Sequence, residues 1–138
     1  MFEHCLYFNT TSLARKLERE WAVAFKPFGL TPPQAFLLRV VLAQPGCLQV
    51  ALAQAMNITK PTATRTLEGL LKGGWIERAG AEGDARGWRV YPSAQAVQVH
   101  ADLNRASAEV TRRFKKLLGP DGFDQAVSQV RLVSDALA

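Results

Sequence analysis

A chain of 138 residues with 48% apolar and 21% charged residues has the balance of one ordinary globular domain, which excludes a disordered, collagen-like or membrane-embedded chain. Seventeen Lys and Arg against twelve Asp and Glu leave a net charge of +5, a weak bias toward polyanionic partners. Two cysteines, Cys5 and Cys47, form neither a CxxC pair nor a disulfide framework, which fits a reducing compartment.

The first stretch, MFEHCLYFNTTSL, lacks the basic segment and long apolar run of a signal peptide. The longest apolar run, AFLLRVVLA at 35–43, is interrupted by Arg39 and is too short to span a bilayer, so a soluble, cytoplasmic protein is expected. Leu13, Leu17, Trp21, Phe25 and Phe28 then recur at helical spacing among charged residues, predicting an amphipathic helix over about 8–28 that closes at Gly29. Thr31-Pro32-Pro33-Gln34 is a start signal with the composition of a capping box. The helix it opens, ending near Ala43, is apolar almost all round and is expected at the buried centre.

Gln44-Pro45-Gly46 breaks the chain before a short helix at about 49–56. The next helix, over 59–72, has two faces: Ala63, Leu67, Leu70 and Leu71 on one, and Pro61, Thr62, Arg65, Glu68 and Lys72 on the other. Gly73-Gly74 ends it. The period then changes, and WIER (75–78) and GWRVY (87–91) read as two short strands of a hairpin joined by the polar loop 79–86. Pro92-Ser93 starts a long helix with apolar Val99, Leu103, Ala106, Val110, Phe114 and Leu117. Gly119-Pro120-Asp121 reads as a stop followed by a cap, and Phe123, Val127, Val130, Val133 and Leu137 form the stripe of a last helix.

The predicted fold is mainly α with a small β-hairpin wing: a short helix, a tight turn, a second helix and a hairpin are the parts of a winged helix-turn-helix. A recognition helix must bury one face against its own domain while its N-terminal residues enter the major groove. The helix at 59–72 has that character. Short hydroxyl side chains reach phosphates and base edges without blocking close approach, and helix N-termini favour a phosphate nearby. The expected DNA contacts are Lys60 to a phosphate, Thr62 and Thr64 to phosphates or a thymine methyl, and Arg65, whose fork matches guanine, with Pro61 at the same tip. Arg86 and Arg89 in the hairpin extend the basic surface. An arginine at a wing tip can enter a narrow minor groove, with Asp84 holding its guanidinium; the bland alternative for Asp84 and Arg86 is a surface ion pair.

GLTPPQAFLL (29–38), ITKPTATRTLEGLLKGGWIER (58–78) and the Asp-Ala-Arg of 84–86 resemble the signature segments of the MarR family of bacterial transcriptional regulators, and the resemblance covers nearly the whole chain. It implies one MarR-like unit over 1–138, with a winged helix-turn-helix lobe at 30–92 and helices at 1–29 and 93–138 that pair two copies into a homodimer. One departure follows the wing, where Leu-Thr and a glycine three residues further on are usual and this chain reads Tyr91-Pro92-Ser93-Ala94-Gln95-Ala96. The resemblance also implies a small aromatic effector between the dimer helices and the DNA-binding lobe. Trp21, Phe25, Phe28 and Phe36 are the candidate lining, although aromatics at helical spacing are more often core. The segment from Cys5 to Asn9 is similar to the N-terminal helix of a MarR subgroup with cysteine at this position, and some family members sense oxidants through an N-terminal cysteine. Cys5 lies two residues before the position that the peroxide-sensing pattern would use, so a redox role for it stands beside that of an idle thiol.

No cofactor or metal site is expected: His4 and Cys5 are adjacent, His100 is isolated, and no closed zinc spacing appears. An enzyme is not expected either, since no Ser/His/Asp set, paired carboxylates or phosphate-binding glycine loop is present. Two functions remain: a dimeric, sequence-specific regulator, repressor or activator, of near-palindromic double-stranded DNA, and a winged-helix module that binds protein and has no DNA target.

Overall fold

The computed structural model describes residues 1–80 and 87–137. Helix α1 spans Leu6–Phe25 and passes into a single 3-10 turn, Lys26–Phe28, so the first predicted helix is really two pieces. Gly29 closes the turn at φ 71°, the left-handed conformation that a glycine adopts without a Cβ clash. The apolar stripe on α1 is unevenly covered. Phe25 is fully buried and Leu17 and Trp21 half-buried, whereas Leu13 is exposed, because the N-terminal half of the helix runs past the body of the chain.

Thr31 caps α2 (Pro32–Ala43): its Oγ1 accepts from Gln34 N, and Gln34 Oε1 accepts from Thr31 N, completing the capping box. Pro32 sits where its missing N–H costs nothing. With Ala35, Leu37, Leu38, Val41 and Leu42 buried, α2 is the centre of the core, packed by α1, α3, α4, α5 and the sheet. Strand β1 (Cys47–Leu48) follows, then α3 (Gln49–Ala55) and α4 (Lys60–Lys72).

The sheet has three strands where a two-stranded hairpin was expected. Strand β3 (Arg89–Pro92) lies between β1 and β2 (Ile76–Ala79), antiparallel to both, with Cys47 opposite Val90 and Arg78 opposite the same residue on the other side. Trp75 stands just before β2, and its buried ring helps seal the core beside Leu70 and Val90. Gly46 leads into β1 at φ 84° and packs under Tyr91, whose ring would lie 3.1 Å from an added Cβ, so the tight turn and the aromatic lid require each other.

Ser93 caps the long helix α5 (Ala94–Leu118), its Oγ accepting from Ala96 N; the helix begins cleanly despite the unusual sequence after the wing. Helix α6 (Pro120–Ala136) starts at Gly119, which has no side chain to cap with, and Asp121 lies inside the first turn; the expected cap by Asp121 is therefore replaced by a favourable charge near the helix N-terminus. No residue of α6 is buried. Among the described residues no helix is long and apolar enough to cross a membrane.

Candidate nucleic-acid interface

Helices α3 and α4 are joined by a turn whose sharpest residue is Asn57, at φ 53°. Asparagine tolerates this left-handed conformation better than most residues do. Its neighbours close α3, with Ile58 N donating to Ala53 O at 3.1 Å, so the chain reverses within a few residues. Sequence reading missed Asn57, and its signal was an asparagine directly between two helical patterns.

Thr59 then caps α4, its Oγ1 accepting from Thr62 N. Ala63, Leu67 and Leu70 are buried against the body of the chain, which leaves Lys60, Pro61, Arg65, Glu68 and Lys72 exposed on the opposite side. The hydroxyls along this helix are organised. The Thr59 hydroxyl donates to Thr62 Oγ1 at 3.0 Å, Arg65 Nη2 donates to the same oxygen at 3.4 Å, Thr64 donates to Lys60 O at 2.9 Å, and Thr66 donates to Thr62 O at 3.0 Å. The expected contact set Lys60, Pro61, Thr62, Thr64 and Arg65 thus shares one projecting end of one helix, Thr62 and Thr64 on its flanks.

Gly87 and Trp88 return from the hairpin beside that end, and a cleft of about 230 Å³ opens between Gln49 and Val50 of α3, Thr64 of α4 and Trp88. Gln49 N donates to Trp88 O at 2.9 Å, fixing the start of α3 to the sheet, and Gln49 Oε1 is buried there with no hydrogen-bond partner among the described residues. Arg78 stacks over Trp88, 4.9 Å from the ring centroid. Arg89 is exposed, but its Nη1 donates to Gly46 O at 2.9 Å, so the guanidinium braces the turn before β1. Asp84 and Arg86 lie outside the described residues.

The four aromatics expected around an effector separate. Trp21 and Phe36 line an apolar groove of about 460 Å³ with Leu17, Pro32 and Ile58. Phe25 is instead fully buried, edge-to-face with Phe36 at 5.8 Å, and half-buried Phe28 packs on the core. Behind the groove lies a polar node: Ser107 Oγ accepts from Trp21 Nε1 at 3.1 Å and from Arg39 Nη1 at 3.2 Å, while Arg39 Nε donates to Asn104 Oδ1 at 2.8 Å. Arg39 also lies over the Phe36 ring at 5.0 Å, and burial pulls its pKa down from the ordinary value. The only trace of this node in the sequence was the arginine interrupting an apolar run.

Cys5 is exposed and caps α1, its Sγ accepting from Phe8 N at 3.5 Å. Cys47 is half-buried, and burial pushes its thiol pKa up. Among the described residues no group of three His, Cys, Asp or Glu is placed to hold a metal ion.

A short helix, a tight turn, a capped second helix with one buried and one polar face, and a sheet flanking it together define a winged helix-turn-helix protein. A family model described as MarR family matches residues 28–87, under half of the chain. Across this lobe the chain is similar to the MarR family of regulators. Over 99 residues it is 26% identical to the HTH-type transcriptional regulator YybA of Bacillus subtilis (strain 168), an alignment that covers 72% of this chain and 66% of that protein, slightly under two thirds of the relative's length. Among solved structures, the transcriptional repressor CouR bound to a 23-mer DNA duplex superposes with a TM-score of 0.85 at 22% identity, over 96% of this chain and 94% of that chain. CouR bound to p-coumaroyl-CoA gives 0.86 at 20% identity over the same shares. The PcaV transcriptional regulator from Streptomyces coelicolor, in complex with its natural ligand, gives 0.77 at 22% identity over 91% of this chain and 92% of that one. At these identities the structural likeness is one of fold.

Proposed function

We propose that this chain is a MarR-family transcriptional regulator that binds double-stranded DNA sequence-specifically as a homodimer, represses from a near-palindromic site, and is released by a small effector. The observation that carries the reading is the end of α4: Lys60, Pro61 and Arg65 project into solvent while Ala63, Leu67 and Leu70 hold the helix rigidly by its opposite face. In this reading Arg65 forks onto guanine, Lys60 and Thr62 meet phosphates, and Arg86, steadied by Asp84, reaches the minor groove beside them. Arg89, tied to Gly46 O, serves the wing as a brace. Two copies related by a twofold axis would engage half-sites about one helical turn apart.

The effector would lie in the groove of Trp21 and Phe36, whose apolar walls suit an aromatic group. The p-coumaroyl-CoA bound by CouR and the natural ligand bound by PcaV support a small-molecule effector in the same fold. Oxidation of the exposed Cys5 is a second route to release, and Cys5→Ser tests it: loss of oxidant-induced release supports the route, and unchanged release removes it.

The decisive experiment selects bound duplexes from a random pool and measures retention against salt. Phosphate neutralisation makes affinity fall steeply with salt, by about one logarithmic unit per logarithmic unit of salt for each phosphate contacted. A selected inverted repeat with that salt dependence supports the proposal; retention of protein partners with no duplex enrichment would reassign the chain to protein binding.

A further inference from the structure

Four threonines stand within eight residues around the start of α4, and the hydrogen bonds separate what their chemistry leaves alike. A phosphate oxygen only accepts hydrogen bonds, so a threonine that binds one must have its hydroxyl proton free. Thr64 does not: it donates to Lys60 O, one turn back, at 2.9 Å. Thr66 is committed in the same way, to Thr62 O. Thr62 differs, because its oxygen receives the Thr59 hydroxyl and Arg65 Nη2, which leaves its own proton able to point outward.

What Thr64 retains toward a partner is its γ-methyl group and the lone pairs of its oxygen. Its surroundings favour the first. It lines the cleft beside α3 with Val50, Ala53, Ala63 and Trp88, and among the described residues Lys60 supplies the one charge there. Val50 is 42% exposed, so the apolar wall is open to an approaching surface. In the major groove the apolar group on offer is the C5-methyl of thymine.

Building on the DNA-binding reading above, we propose that Thr64 is a specificity-determining residue that reads one thymine per half-site by methyl contact, while Thr62 supplies the tip's hydroxyl contact to phosphate. Sequence choice at that position then follows from apolar packing, and it is separate from the guanine choice made by Arg65.

The test uses the full-length protein and the duplex it selects, with each thymine replaced in turn by uracil, which lacks only that methyl. Thr64→Val keeps the shape and a methyl but removes the hydroxyl; Thr64→Ser keeps the hydroxyl and removes the methyl. The expected result is wild-type affinity for Thr64→Val and a loss of about 16-fold for Thr64→Ser on the full site, about fourfold for the buried methyl group in each half-site. Uracil at the one contacted thymine of either half-site should cost the wild type about fourfold and cost Thr64→Ser nothing more. A loss in Thr64→Val with Thr64→Ser unaffected would show a hydroxyl working outward, to a phosphate or a base amino group, and would overturn the assignment, as would equal losses in both variants. So would a set of uracil positions none of which distinguishes wild type from Thr64→Ser. A wild-type protein that enriches no duplex at all would overturn the DNA-binding reading itself, a result distinct from either.

Discussion

Arg65 and Ser107 show how differently one side chain can matter. Arg65 is exposed and its fork is lightly held, among the described residues by one bond of 3.4 Å to Thr62, so it supplies little to the fold and can reorganise onto a base. Arg65→Ala is expected to leave the melting temperature unchanged and to weaken binding to the selected site by about 1–3 kcal/mol, with relaxed preference at one base pair. Mobility-shift titrations over single-base variants of the site check this; an equal loss on every sequence would make Arg65 a phosphate contact. Ser107 is the reverse case. It is buried, and its hydroxyl oxygen takes hydrogen bonds from both the Trp21 indole and the Arg39 guanidinium. Ser107→Ala leaves two part-buried donors without that acceptor, one of them cationic, and is expected to destabilise the chain by about 1–3 kcal/mol in denaturant titration.

At the scale of elements, the orientation of α4 depends on how closely it approaches α2. Gly69 faces Gln34, and an added Cβ would stand 2.6 Å from Gln34 Nε2. That amide is also half of the capping box at the start of α2, so the side chain cannot yield without losing its bond to Thr31 N. Gly69→Ala therefore sets a gain in helix propensity of about 1 kcal/mol against a cap bond of similar size, and little net change is expected. In a Gln34→Ala background the clash is gone and the same substitution should stabilise by about 1 kcal/mol. Thermal melts of the four proteins give the coupling directly, and additivity of the two changes would refute it.

Elements whose residues carry their own period were legible from the sequence: the buried and polar faces of α4, the all-round apolar α2 and its capping box. Strand β1 was not, since two residues show no alternation and Cys47–Leu48 is a strand only through its pairing with β3. The same limit applies to the site. That Thr62, Thr64 and Arg65 share an end of one helix follows from spacing, but which hydroxyl is free follows from partners. The node of Trp21, Arg39, Asn104 and Ser107 joins three helices far apart in sequence, and the fate of Phe25 against that of Phe36 depends on which neighbour covers each ring.

For the whole molecule, α6 poses the plainest physical problem. A helix of 17 residues with nothing buried would be marginal in water, yet it carries an apolar stripe. Val127, Val130 and Val133 are 44%, 56% and 36% exposed, and Leu6, Tyr7 and Phe8 at the start of α1 are exposed as well. Apolar faces at both chain ends, outside the core, are what two copies would bury against each other to form the proposed dimer. Val127→Asp with Val130→Asp places two carboxylates on that stripe without touching α4. Light scattering should then report half the wild-type mass. Affinity for the full inverted repeat should fall by roughly 100-fold or more, because the second half-site is no longer held at high effective concentration, while affinity for an isolated half-site is retained. An unchanged mass would place the contact between copies elsewhere; a halved mass with undiminished affinity for the full site would mean that each copy reads its DNA alone.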